Sequence, residues 1–180
     1  MTQLTENDIQ LIKGTFVPKK LRKRQYFLQA GEVCKHMAFI VKGAMRQYSV
    51  DDKGAEHMVR LSIEDWWAGD RESYTMLTPS IYNIDAWEET DILTATKADF
   101  NTLNSIPAMN EMARQLDNNH AFALQKRVNS SISDPVEKRY ADLAKMYPQL
   151  LERFPQHLIA SYLGVTKETL SRIRHNLVKK

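Results

Sequence analysis

The side chains best placed to do chemistry lie close together near the C-terminal end: Lys167, Glu168, Thr169, Ser171, Arg172 and Arg174. This set mixes cations and hydroxyls with a single carboxylate. Arginine can donate two hydrogen bonds to guanine O6 and N7, and glutamate can accept one from cytosine N4. Lysine and hydroxyls reach phosphate oxygens. The chemistry is recognition of nucleic acid rather than bond-making. Elsewhere the chain lacks catalytic grammar: His36, His57, His120, His157 and His175 show no HxH or HExxH spacing, and there is no GxSxG or phosphate-cradling glycine loop. Cys34 is the only cysteine, which excludes an intrachain disulfide, a CxxC zinc site and a four-cysteine iron–sulfur cluster. The chain therefore reads as a non-enzyme with no cofactor and no metal.

These side chains need a scaffold, and the surrounding spacing supplies one. Gly164 can take a positive φ, which lets two short helices meet across a tight bend. Ala160 is the small residue at their closest approach, and Ile159, Leu163, Val165, Leu170 and Ile173 fall at offsets that bury one face of each helix. Thr166 reads as the N-cap of the second helix, with Glu168 favourable at its positive end. Pro155 to Lys180 thus has the pattern of a helix-turn-helix, with Lys179 expected to reach phosphate without reading sequence.

Upstream, Leu4, Ile9, Leu11 and Ile12 predict a short opening helix capped by Thr5, followed by five cations in the six residues from Lys19 to Arg24. That run reads as a solvated loop and edge strand, or as a second DNA contact. From Tyr26 to Leu61, and again from Ile81 to Phe100, short apolar runs separated by turns at Gly31, Gly43 and Asp52-Lys53-Gly54 predict strands of a barrel or double-layered roll. Between them lies an irregular stretch with Trp66, Trp67, Gly69, Asp70, Arg71 and Tyr82 in or beside it. It offers either core plugs or an effector pocket. Ser105 and Pro107 open a long helix whose apolar residues, among them Met109, Met112, Leu116, Ala123 and Val128, recur at three- and four-residue steps. About 25 residues of amphipathic helix between two candidate domains suit a dimer seam. Asp134-Pro135 then starts a further helix, with Asp134 as its cap.

The chain has 180 residues with 43% hydrophobic composition, enough for one large domain or two small ones. No apolar run approaches the length of about 20 residues that a membrane span needs, and the N-terminal residues lack a signal-peptide pattern, so the expected location is cytoplasmic. Charge is uneven: twelve acidic and four basic residues between Asp51 and Asp99, against five basic and one acidic from Pro155 onward. A polyanion is repelled by the middle and attracted by the end.

A roll, a long helix and a helix-turn-helix, in that order, resemble the Crp/Fnr family of bacterial transcription regulators. The resemblance rests most specifically on Gly164 to Arg172, with support from Gln29-Ala30-Gly31-Glu32 and Phe39 to Gly43. It implies an α+β fold with three parts: an N-terminal double-stranded, jelly-roll-like β-roll as sensor over 1–104, a dimerisation helix over 105–133, and a DNA-binding unit of winged-helix type over 134–180. It also implies Glu168 and Arg172 as base readers, with double-stranded DNA carrying a near-palindromic site, a second copy of the chain, RNA polymerase and a small-molecule effector as partners. The family's cyclic-nucleotide cassette offers Gly-Glu and, about ten residues on, an arginine for the phosphate. This chain has Gly69-Asp70, then Ser80-Ile81-Tyr82, and no arginine between Arg71 and Arg114. The expectation is a homodimeric, sequence-specific DNA-binding transcription regulator controlled by an effector other than cAMP. The alternative is a sensor whose output is a protein–protein contact, and a cupin-type enzyme lacks its metal-ligand histidines.

Overall fold

Thr5 opens the first helix through a reciprocal cap: its hydroxyl accepts from the Asp8 amide, and the Asp8 carboxylate accepts from the Thr5 amide at 2.9 Å. The computed structural model describes residues 3–178, so Lys179 and Lys180 of the basic tail lie outside the described residues. Helix α1 (Glu6–Thr15) leads into eight strands: β1 (Val17–Leu21), β2 (Tyr26–Leu28), β3 (His36–Lys42), β4 (Met45–Val50), β5 (Glu56–Ser62), β6 (Trp67–Ala68), β7 (Asn83–Ala86) and β8 (Thr90–Thr96). They form two four-stranded antiparallel sheets, ordered β1-β8-β3-β6 and β2-β7-β4-β5. Leu21, Leu28, Ile40, Met45, Ile84 and Ile92 fill the space between the sheets. This is the antiparallel roll that the short alternating runs predict.

Two short helices replace expected irregular or strand structure. The irregular stretch after Gly69 contains α2 (Arg71–Met76), because the Asp70 carboxylate accepts from the amides of Glu72 and Ser73 and so nucleates a turn. The last residues of the second strand set form α3 (Lys97–Leu103), capped reciprocally by Thr96 and Asp99. Helix α4 (Pro107–Ser133) runs for 27 residues and buries none of them. It starts on an Ile106 N-cap rather than on Ser105, whose hydroxyl instead donates to the Thr102 carbonyl.

After α4 come α5 (Val136–Met146), α6 (Pro148–Arg153), α7 (Gln156–Tyr162) and α8 (Lys167–Val178). Asp134 does not cap α5. Its carboxylate accepts from Ser130 Oγ and Lys138 Nζ, and Pro135 holds the N-cap position instead. A winged-helix unit requires a β-hairpin, but among the described residues no strand lies beyond Thr96.

The C-terminal helices are not tethered loosely. Met45, Arg46, Gln47 and Tyr48 of β4 are all buried, so both faces of this strand are covered. A second core spans the junction, joining Tyr48, Met58 and Leu61 of the roll to Phe154, Leu158 and Leu163 of the C-terminal helices. At about 25 cal/mol per Å² of buried apolar area, such a core fixes one unit against the other.

Candidate nucleic-acid interface and effector region

The bend between α7 and α8 is a Schellman turn. Val165 N–H donates to the Ala160 carbonyl at 2.9 Å and Gly164 N–H to the Ser161 carbonyl at 3.0 Å, with Gly164 at φ +70°. Arg139 of α5 secures it from behind by donating from Nη1 to the Leu163 carbonyl at 2.8 Å. Thr166 then caps α8 by accepting the Thr169 amide at 3.2 Å. Leu170 and Ile173 are buried at 0% and 2% exposure, so the remaining face of α8 must point outward. Thr166, Lys167, Glu168, Ser171, Arg172 and Arg174 are all exposed on it. Thr169 departs from that set: it is partly buried, and its hydroxyl accepts from Thr166 Oγ1. Hydrogen bonding at the helix start, from its own amide and from Thr166, holds the Glu168 carboxyl below its ordinary range. It is therefore an ionised acceptor at neutral pH.

Three side chains that sequence patterns do not flag hold this unit on the roll. Ser161 of α7 accepts from the Met58 amide at 2.9 Å and donates to the Glu56 carbonyl at 3.3 Å, stitching α7 to β5. Arg153 reaches Glu64 at 2.5 Å and also binds Glu88. Trp87 donates from its indole N–H to the Arg153 carbonyl at 3.0 Å. Burial opposes ionisation of Glu64, but hydrogen bonds from Arg153 and from the Gly43 amide outweigh it and bring its pKa down to about 2. Beneath the junction, Arg46 is buried against Asp85 at 2.8 Å and Glu56 at 2.5 Å. Each of these partnerships joins residues far apart in sequence, which is why spacing alone does not reveal them.

The residues of the predicted effector pocket are dispersed. Trp66 stands edge-on to Tyr147 of the C-terminal helices at 5.0 Å, whereas Trp67 packs among Phe16, Phe39 and Phe100. The two indoles therefore serve different clusters and form no lid. Gly69 sits at φ +153° where a Cβ would overlap Met37 Sδ. Asp70 is buried as the cap of α2, and it accepts from Ser80 Oγ at 2.6 Å. Arg71 is exposed and pairs with Asp117 of α4 at 2.5 Å. Tyr82 is partly buried and donates its amide to Ser80 Oγ. An open cleft of about 480 Å³ lies elsewhere, along the β2–β3 connection, walled by Phe27, Leu28, Cys34 and His36. Burial pushes the Cys34 thiol up, so it is a packing group and not a nucleophile.

Residues 18–105 match the cyclic nucleotide-binding domain family. The chain superposes on FixK2 from Bradyrhizobium japonicum with a TM-score of 0.76 at 17% identity, covering 91% of this chain and 85% of that one. The chain shares the fold of that protein. The same fold relates the chain to the Thermus thermophilus catabolite activator protein (TM-score 0.57, 20% identity, 98% and 84% covered). It also relates it to a Crp/Fnr-family transcriptional regulator from Eubacterium rectale (TM-score 0.68, 16% identity, 98% and 85% covered). By sequence alone, no curated protein matches the chain.

The stretch from Gly69 to Ser80 is closed by its own hydrogen bonds. Asp70 spends its carboxylate on two amides and the Ser80 hydroxyl, and Ser73 ties Cys34 N–H to the Thr78 carbonyl. The side chains at Gly69-Asp70 and Ser80 therefore present no cation to a phosphate, and a phosphate buried there would lack a charge-assisted partner. No helix among the described residues is long and apolar enough to cross a membrane.

Proposed function

We propose that the protein is a sequence-specific DNA-binding transcription regulator that acts as a homodimer under an effector other than cAMP. The observation that carries this reading is the outward face of α8. Lys167, Glu168, Ser171, Arg172 and Arg174 stand exposed on a capped helix whose other face is anchored by Leu170 and Ile173. Glu168 and Arg172 lie one turn apart and read bases, while Lys167, Ser171 and Arg174 reach phosphates or neighbouring base edges. The fold shared with transcriptional regulators supports the same reading.

Dimerisation runs through α4, whose exposed apolar residues include Met112, Leu116, Leu124 and Val128. Ala123 is exposed on the same helix, while Met109 is half-buried. Phe122 and Ile132, exposed at 58% and 81%, add further uncovered apolar surface to the helix. Two copies joined along this seam place their α8 helices in successive major grooves about 34 Å apart, matching a near-palindromic site. The division into a roll over 1–104, a seam helix over 105–133 and a reading unit over 134–180 follows from these roles.

Selection from a random duplex library, followed by salt-dependent gel shifts, tests the proposal. Glu168→Ala and Arg172→Ala should each lose roughly 1–3 kcal/mol of base discrimination, while Lys179→Ala weakens all sequences alike. Equal losses on every sequence from all three variants defeat the assigned readers. Failure to select any sequence defeats the function, and in that case a protein partner captured by the same face becomes the reading to pursue.

A further inference from the structure

Only one side of α8 can enter a groove, and helical geometry says which residues stand at its centre. Successive side chains are turned by about 100°, and the buried pair Leu170 and Ile173 fixes the direction of the core. Opposite that direction, each within about 10° of it, lie Glu168 and His175. Ser171 and Arg172 stand about 50° to either side of the same line. Lys167 and Arg174 fall about 90° and 110° away, on the flank. Thr169 falls about 110° away on the other flank, and it is partly buried with its hydroxyl turned to Thr166, as that position requires. His175 is exposed, and α8 continues past it to Val178.

Glu168, Ser171, Arg172 and His175 therefore occur at i, i+3, i+4 and i+7 on one exposed face. This is the spacing with which the third helix of a homeodomain lays four side chains along the major groove. Glu168 and His175 are about 10 Å apart along the axis, the length of about three base-pair steps. Charge alone passes over His175 and picks its neighbour Arg174, which the buried face turns aside. The imidazole suits the central place, because one ring nitrogen carries a proton in either tautomer and N7 of both purines accepts in the major groove. A histidine in the last turn can also serve the helix dipole, but that role carries no sequence dependence.

We propose that His175 is a third base reader, donating from its imidazole to N7 of a purine about three base pairs from the position that Glu168 reads. The assignment rests on the DNA-binding reading of α8 and adds one specified position to each half-site. By the same geometry Arg174 holds phosphate.

Selection from a random duplex library with the full chain, followed by competition binding on single-position variants of the selected site, tests the assignment. For the unmodified protein, exchanging the purine for a pyrimidine at the third position should weaken binding roughly three- to tenfold. His175→Ala should abolish that difference while the preferences set by Glu168 and Arg172 persist. His175→Gln should move the preference at the same position toward adenine, because a carboxamide bonds adenine N6 and N7 together. Arg174→Ala should weaken all sequences alike and lower the slope of log affinity against log salt by about 1. A His175→Ala variant that weakens every sequence equally, or leaves every preference unchanged, overturns the assignment and leaves the DNA-binding reading standing. If His175→Ala fails to fold, His175→Gln decides at the same position, and an unaltered preference there overturns the assignment. If the unmodified protein enriches no sequence, the DNA-binding reading fails and the assignment with it.

Discussion

Helix α4 is 27 residues long and buries none of them, whereas α7 is seven residues long and buries Leu158, Ile159 and Ala160. Both read as amphipathic in sequence, yet they answer to different partners. The apolar face of α7 is satisfied within the chain, against Met58 and Tyr48 of the roll. That of α4 is left open, with Phe122 and Val128 each 58% exposed. A long stripe on one chain therefore says little about what stabilises that chain. Its length suits contact with a second copy, while the short helix is the one locked in place.

The contrast can be broken most sharply at Leu170, which seats α8 on α7 and is fully buried. Leu170→Ala should lower unfolding stability by about 2–5 kcal/mol, independently of protein concentration, in urea denaturation. Arg153→Ala comes next. It leaves Glu64 and Glu88 without their shared cation and should cost about 1.5–3 kcal/mol, toward the lower end because these carboxylates are part-exposed. It should also change the acid response. The Glu64 pKa is about 2 against an ordinary 4.5, so its contribution is present above 4.5 and is lost as pH falls toward 2. Stability measured across that window should fall less steeply in the variant, and an unchanged slope would separate Glu64 from the junction.

On the open helix, the double variant Leu116→Ala, Leu124→Ala should leave monomer stability nearly unchanged while weakening self-association by roughly 1–2 kcal/mol in sedimentation. A loss of monomer stability equal to that of Leu170→Ala erases the distinction between the two helices. The smallest effect is expected at Ser161→Ala, which removes both hydrogen bonds between α7 and β5 and should cost about 0.5–1.5 kcal/mol in thermal unfolding.

Local chemistry was legible in the residues. The Thr5–Asp8 cap, the bend at Gly164 and the Thr166 cap all follow from single side chains acting on neighbouring amides, and they occur where spacing puts them. The alternating strands and the buried face of α8 follow from period alone. What spacing missed is contact between distant segments. Nothing in the β4 sequence tells that Arg46 is buried, because its partners Asp85 and Glu56 come from β7 and β5. Nor does Trp66-Trp67 reveal that the two rings part company, since that depends on which helices cover each sheet. The wing came from the resemblance alone, and among the described residues no strand follows Thr96. Among the candidate readers only Thr169 shifted, turned inward by the very cap that orders its neighbours.

Trp87 gives the junction an optical label. Its ring lies under the Arg24 guanidinium at 4.5 Å and beside Phe154 at 5.9 Å, and its N–H is held by the Arg153 carbonyl. Trp66 touches Tyr147 across the same boundary, while Trp67 is packed among Phe16, Phe39 and Phe100, on the roll and its flanking helices. Separation of the reading unit from the roll would wet two indoles and leave the third dry. Red-shifted emission from the first pair, with Trp67 as an internal reference, would report that movement in solution without any attached dye.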